Sequence, residues 1–316
     1  MKAMVIGAAG FVGGYLMNEI ERSLGAEVLA TKLPGETVEH RGARVFDLDI
    51  VDSDAVRRLF QSEKPDVIFH LAAQSSVAYS WKNPQLTVDV NIKGALSILD
   101  AMRSMETSPR AVLIGSGEEY GWIRQEDLPL KETTALHPGN IYAATKASQS
   151  MIAAIYSRAY QLPVVSTRSF NHIGRGQTTT FAIPSFCSQI ARIEHGQIPP
   201  VMRVGNTAAA RDFTDVRDVV RGYCLLALKG KDGEVYNVGR GQPHSIGDIL
   251  GMLTAMSPCE ITVEPDPALY RPVDIPEIYP DTAKIRETTG WVPEIPLKES
   301  LKWVLDEWRE KTEGQM

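Results

Sequence analysis

What this chain has little of narrows it first. It holds three cysteines, Cys187, Cys224 and Cys259. That odd number at wide spacing matches neither a zinc site nor a disulfide framework, so buried or free thiols in a reducing compartment are expected. No apolar run is long enough to cross a bilayer. The apolar N-terminal stretch is broken by glycines and leads straight into a helical pattern, so it reads as strand, turn and helix rather than a secretion signal. Positive charge is scarce too: 33 Lys and Arg stand against 39 Asp and Glu, net −6. With no basic stripe interleaved with aromatics, the phosphate attraction that drives nucleic-acid binding is missing. No internal repeat or low-complexity linker appears. The expectation is a cytoplasmic protein that binds neither nucleic acid nor membrane and holds no metal.

What is present points to an α/β protein. At 316 residues and 43% hydrophobic content, the chain can bury a large core and form two domains. Lys2–Ile6 is a short apolar run, hence a buried strand. It enters the turn Gly7–Gly13, with glycines at 7, 10 and 13 and Phe11 and Val12 between them, before the helical pattern Tyr15, Leu16, Ile20. Glycines so spaced between a strand and a helix allow a tight turn, close approach of backbone to a diphosphate, and close helix packing. A second strand, Glu27–Thr31, ends where an NAD site usually carries an acidic residue for the ribose 2′-hydroxyl. Thr31 and Lys32 stand there instead, a hydroxyl and a cation suited to a 2′-phosphate with no carboxylate to repel it. This favours NADP(H), with NAD(H) use left open.

A third strand ends in Asp49-Ile50, where Asp49 can accept a hydrogen bond from an adenine amino group. Asp66–Ala73 reads as a fourth strand whose small end, Leu71, Ala72 and Ala73, can pass beneath a diphosphate and the nicotinamide ribose. His70, within that apolar run, reads as structural. Leu86–Met105 reads as a helix carrying Asn91, Ala111–Gly115 as a fifth strand delivering Ser116, and Leu162–Arg168 as a further strand. Strands alternating with helices argue for a doubly wound parallel sheet covered on both faces.

The chemistry centres on Tyr142-Ala143-Ala144-Thr145-Lys146. On a helix, Tyr142 and Lys146 share one face. An ammonium beside a phenol favours the phenolate, so the tyrosine is expected to exchange its proton nearer neutrality than its free pKa of about 10. Ser116, from a neighbouring strand end, can hydrogen-bond the same substrate oxygen. Such a trio suits moving a hydride on or off a carbinol carbon while a proton moves on or off its oxygen.

In this order and spacing, Gly7-x-x-Gly-x-x-Gly13, His70-Leu-Ala-Ala73, Ser116 and Tyr142-x-x-x-Lys146 resemble the extended short-chain dehydrogenase/reductase family acting on nucleotide sugars. The resemblance covers nearly the whole chain. It implies a Rossmann-type cofactor domain, here 1–170 with 213–240 packing back on it, and a smaller α/β substrate domain, 171–316. It also implies substrate contacts from Ser75, Asn171, Arg203, Arg211, Arg271 and Asp274, beside Ser116 and Glu118. An arginine fork suits a diphosphate, and Arg175 is a further candidate. Apolar residues on several faces of the helices around 86–105 and 145–160 fit the family's homodimer through a four-helix bundle.

Within the family, segments 73–81, 170–177, 211–215 and 271–276 look most like reductases of GDP-linked 4-keto-6-deoxy-mannose, which yield GDP-rhamnose and are close to GDP-mannose 4,6-dehydratases. Glu118, two residues past Ser116, matches the position of the dehydratases' C5 base, so dehydration remains an alternative, as does 4-epimerisation. A non-catalytic dinucleotide sensor would be expected to lose Tyr142 or Lys146, and both are present.

Overall fold

The computed structural model describes residues 1–269 and 275–314. The first part runs β1 (Lys2–Ile6), α1 (Phe11–Leu24), β2 (Glu27–Lys32), β3 (Arg44–Asp47), α2 (Ser53–Glu63), β4 (Val67–His70), α3 (Val77–Lys82), α4 (Pro84–Val88), α5 (Gly94–Arg103), β5 (Arg110–Ser116), α6 (Ile141–Tyr160) and β6 (Val164–Ser169). The second part holds β7 (Asn171–Ile173), α7 (Ala182–Glu194), β8 (Val201–Val204), β9 (Ala210–Asp215), α8 (Val216–Lys229), β10 (Val235–Val238), β11 (Pro243–Ser245), α9 (Ile246–Thr254), β12 (Thr262–Pro265), β13 (Glu277–Ile278), α10 (Ala283–Thr289) and α11 (Leu297–Glu313).

Seven strands form one sheet in the order β10-β6-β5-β4-β1-β2-β3, and every neighbouring pair is parallel. Parallel neighbours need crossovers, and here helices supply them and cover both faces. Leu16, Met17 and Ile20 of α1 pack with Val219, Val220 and Tyr223 of α8 on one face. Val56 and Phe60 of α2, Ile98 and Leu99 of α5 and Ala153 of α6 cover the other. That is why β1, β2 and β4 are apolar in both side-chain directions. Strand order reverses between β1 and β4, so a crevice opens past their carboxyl ends, the usual ligand position in such sheets.

The second part builds a small sheet around β9, which pairs with β7, β11 and β13; β8 and β12 form a separate parallel pair. Its core gathers Ile183, Phe186 and Ile190 of α7, Leu253 of α9 and Leu301, Val304 and Leu305 of α11.

Three elements differ from their sequence expectation. The third strand stops at Asp47, short of Leu48–Ile50. The fourth stops at His70, because the chain turns over the end of β1, where Leu71 and Ala72 N–H both donate to the Ile6 carbonyl. The helix expected over 86–105 is interrupted: α4 and α5 are joined by a π-helical turn at Asp89–Lys93. Such turns are frequent at functional sites, and Asn91 lies within this one.

Candidate active site

The turn after β1 has the shape a dinucleotide needs. Gly7 has φ +86, and a Cβ there would stand 2.6 Å from Ala72 Cα. A Cβ on Gly13 would stand 2.0 Å from the Ala8 carbonyl oxygen, so only glycine lets α1 sit this close to the loop. Gly10, at the N-cap of α1, leaves its helix N–H groups without a side-chain cap, as an anion site requires. The adjoining cleft is lined by Gly7, Thr31, Asp49, Ile50, Ala73 and Gln74. Gln74 Oε1 is buried with no hydrogen-bond partner, an acceptor awaiting a donor. Glycine cradle and orphan acceptor together fit a nicotinamide dinucleotide. Gln74 was not singled out from the sequence; its signal was a lone amide directly after the small residues Ala72 and Ala73.

Asn91 is buried and does not face this cleft as a free group. Its Oδ1 accepts from Gln74 N–H at 2.8 Å, and its Nδ2 donates to the Gln74 carbonyl at 3.0 Å and to Thr145 Oγ1 at 2.9 Å. It ties the loop after β4 to α6. Leu71 and Ala72 hold the loop on β1, as above, and Ser75, one residue past Gln74, is exposed. Phe11 stacks on the His172 ring at 6.0 Å, nearly parallel, and Val12 packs against the α1–α8 core.

The residues after β2 are placed differently from expectation. Thr31 is buried and its Oγ1 accepts from Gly7 N–H at 3.3 Å, so it braces the turn. Lys32 is ion-paired with Asp47 of β3, because parallel pairing sets these two residues side by side. A carboxylate therefore does stand beside the cation. Asp49 is exposed and its Oδ1 accepts from Val51 N–H at 3.0 Å, while Ile50 packs against Gly94.

Helix α6 begins at Asn140, whose Oδ1 accepts from Ala143 N–H at 2.8 Å. This sets Tyr142 and Lys146 on one buried face, 9% and 3% exposed. Lys146 Nζ donates to the Ile114 carbonyl at 2.7 Å and to Gln149 Oε1 at 3.2 Å. Ser116 lies close enough to Tyr142 to favour its phenolate. The expected easing of the phenol towards neutrality is not found. Burial, with Glu118 and Glu119 nearby, pushes Tyr142 up to about 12, against the lowering by Ser116. Burial draws Lys146 down to about 8, with Glu119 acting the other way. The ammonium is directed at backbone and amide oxygens, and desolvation of the phenolate outweighs its pull. Tyr142 is thus a phenol at neutral pH.

Two adjacent glutamates behave oppositely. Glu118 is half-buried and its Oε2 accepts from Asn140 Nδ2 at 3.2 Å. Glu119 is fully buried: Oε1 accepts from Ser116 N–H at 2.9 Å, and Oε2 from Ser150 Oγ at 3.0 Å and Arg168 Nε at 3.1 Å. The sequence reading missed Glu119. Its signal was the spacing Ser116-x-x-Glu119, a capping box, which the structure forms. His70 is fully buried with neither ring nitrogen partnered; burial, then Lys146, drives its pKa down to about 3, so it is neutral.

Of the residues expected to contact substrate, Asn171 is exposed at the start of β7, paired in register with Phe213. Arg203 is exposed on β8. Arg211 on β9 donates to the Ala210 carbonyl at 2.8 Å. Arg175 is spent elsewhere: its guanidinium forks onto Glu310 at 3.1 and 3.0 Å and its Nε donates to the Trp303 carbonyl. It fastens α11 and does not serve a diphosphate. Arg271 and Asp274 lie outside the described residues. Among the described residues no cluster of side chains could hold a metal ion, and no helix is long and apolar enough to cross a membrane.

Comparison with known proteins agrees with this geometry. The family profile described as GDP-mannose 4,6 dehydratase matches residues 4–304. The chain is 33% identical to the GDP-6-deoxy-D-mannose reductase of Pseudomonas aeruginosa, over 98% of each chain. It is 27% identical to a GDP-mannose 4,6-dehydratase of Vibrio cholerae, over 94% of this chain and 91% of that one. The solved structure of RMD from Pseudomonas aeruginosa complexed with NADPH superposes with a TM-score of 0.85 at 31% identity, covering 98% of this chain and 99% of the other.

Proposed function

This chain belongs to the GDP-mannose 4,6 dehydratase family, within the extended short-chain dehydrogenases/reductases, and on that premise we propose that it reduces GDP-4-keto-6-deoxy-D-mannose to GDP-D-rhamnose with NADPH, NADH being the alternative donor. The observation that carries this is Tyr142, buried beside Ser116 and held as a phenol. Reduction of a ketone needs a proton donor beside the hydride donor, and a phenol that keeps its proton through neutral pH is one.

The cofactor, when bound, supplies the hydride that goes to C4. Tyr142 gives its phenolic proton to the oxygen at C4, so the carbonyl gains one hydride and one proton. Ser116 Oγ donates to that same oxygen and fixes its place. Lys146, anchored on the Ile114 carbonyl, offers its remaining N–H to the nicotinamide ribose and compensates the charge left on the phenol. Gly7, Gly10 and Gly13 admit the diphosphate, and Gln74 Oε1 accepts from the dinucleotide. Asn171, Arg203 and Arg211 take the sugar nucleotide. In this reading residues 1–170, with 213–240, hold the cofactor and the rest holds the substrate.

The test is oxidation of NADPH on addition of the 4-keto sugar nucleotide and the absence of oxidation with GDP-mannose. A second reading, dehydration of GDP-mannose, has one observation in its favour: Glu118 sits near Tyr142, half-buried, where a C5 base would act. Loss of water from GDP-mannose, abolished by Glu118→Gln, would establish it instead.

The assembly proposed is a homodimer through α4–α6. Leu86, Met151, Ile155 and Tyr160 on these helices are 46%, 56%, 53% and 47% exposed, more apolar surface than one helical face of a monomer usually leaves open. A single-chain mass by light scattering would remove this proposal.

A further inference from the structure

Glu119 touches neither cleft nor solvent, yet the fold is arranged around its carboxylate. A Cβ on Gly115 would stand 2.4 Å from Glu119 Oε1, so the residue before Ser116 must be small for the carboxylate to lie where it does. Its partners are the Ser116 N–H, the Ser150 hydroxyl and the Arg168 guanidinium. Burial raises the pKa of Glu119, and Arg168, the Ser116 N–H and Ser150 act against it; since the N–H and the guanidinium can only donate, the ionised carboxylate is the form this cage serves. Arg168 is fixed in turn, stacked over the Tyr120 ring at 4.8 Å and donating to Tyr120 Oη and the Glu132 carbonyl. The charge cannot swing away.

We propose that Glu119 is the buried counter-charge of the reducing site, a positioning residue that pins Ser116 and keeps Tyr142 a phenol and Lys146 an ammonium until the ketone is bound. This rests on the reductase reading of the site. Charged and titratable groups reach the pair from every side. Tyr142 is faced by Ser116 at the end of β5, by Glu118 and Glu119 from the turn after it, and by Tyr223 of α8. Lys146 is faced by Glu119 and by His70 of β4, and Glu119 by Arg168 of β6. His70 and Tyr223 are neutral, and Glu118 bears on Tyr142 alone. Glu119 is the negative group acting on both members, and in both it favours the protonated form.

The experiment uses the full chain labelled with ¹³Cζ-tyrosine, the Tyr142 resonance being assigned by its loss in Tyr142→Phe. The label is titrated from pH 7 upward in the NADPH complex. Glu119→Gln is expected to bring the Tyr142 midpoint down, as removal of a nearby like charge does, and to move the basic limb of kcat the same way. Ser150→Ala, which removes one hydrogen bond and no charge, is expected to leave the midpoint in place. If Glu119→Gln does not fold, the double variant Glu119→Leu/Arg168→Met removes both charges with apolar groups of similar volume, an exchange buried pairs often tolerate. It is expected to lower the midpoint as well. An unmoved midpoint in whichever variant folds, with kcat reduced equally at all pH values, would make Glu119 merely structural and overturn the proposal. The titration needs no sugar substrate. A shifted midpoint in a protein that turns over no 4-keto sugar would retire the reductase reading and keep the counter-charge.

Discussion

The ion pair at the end of the large sheet and the one that fastens α11 to the second part use charge in opposite ways. At the carboxyl ends of β5 and β6, the charges are buried and caged: Glu119 and Arg168 are 0% and 6% exposed, and Lys146 is fixed on a backbone carbonyl. The small sheet has buried carboxylates of its own, Asp212 and Asp215 on β9, but the arginines that fasten α11 and stand on β8 lie nearer the surface. Arg175 reaches half-exposed to Glu310, Arg309 reaches Glu194, and Arg203 is exposed on β8. A caged charge resists rearrangement and can hold a proton at a chosen atom; a surface charge is screened and adjusts to what arrives.

Breaking the caged side should cost most. Tyr142→Phe is expected to lower turnover on the order of 10³-fold, the usual loss of a general acid, with the melting temperature nearly unchanged, because only a hydroxyl is removed. Arg168→Leu leaves Glu119 buried and alone, and should cost about 3–5 kcal/mol in chemical denaturation. The matched change in the other region, Glu310→Gln, should cost under about 1 kcal/mol, since its pair with Arg175 is largely solvated. Equal losses at the two pairs would erase the contrast.

The pH profile sharpens it further. Burial holds Lys146 down to about 8, so reduction should proceed unchanged through neutral pH and fall as the ammonium loses its proton above that value. Tyr142, pushed up to about 12, keeps its proton throughout. A profile that rises with pH across this range would show that a base, not an acid, limits the reaction. Arg211→Ala should raise KM several-fold with kcat nearly kept, as expected for a group that binds ground and transition state alike. The smallest effect expected is at the cofactor's edge. Asp47→Asn frees Lys32 from its ion pair and should raise NADPH affinity over NADH by a few-fold, about 1 kcal/mol at an exposed site; fluorescence titration with both cofactors measures it.

Much of this was legible in the sequence because it depends on local pattern. The glycine spacing after β1 sets the turn, and the four-residue interval of Tyr142 and Lys146 needs only a helix. What escaped depends on which strands become neighbours. Lys32 meets Asp47 only because β2 pairs with β3 in that register, and Glu119 meets Arg168 because β5 lies beside β6. Arg175 and Glu310 are 135 residues apart, so the loss of Arg175 to α11 leaves no local trace. The phenol's pKa was misjudged for a related reason: spacing reveals the neighbouring ammonium but not how dry the pocket is.

Reduction of a ketone with Tyr142 as proton donor would leave a label in the product. The most direct measurement supplies NADPH carrying deuterium at the transferable position together with GDP-4-keto-6-deoxy-D-mannose, and reads the product by mass spectrometry and NMR. Deuterium at C4 of the product, lost when Tyr142→Phe is used, is the result predicted here. No deuterium transfer, with water lost from GDP-mannose instead, would contradict it and assign the site to dehydration.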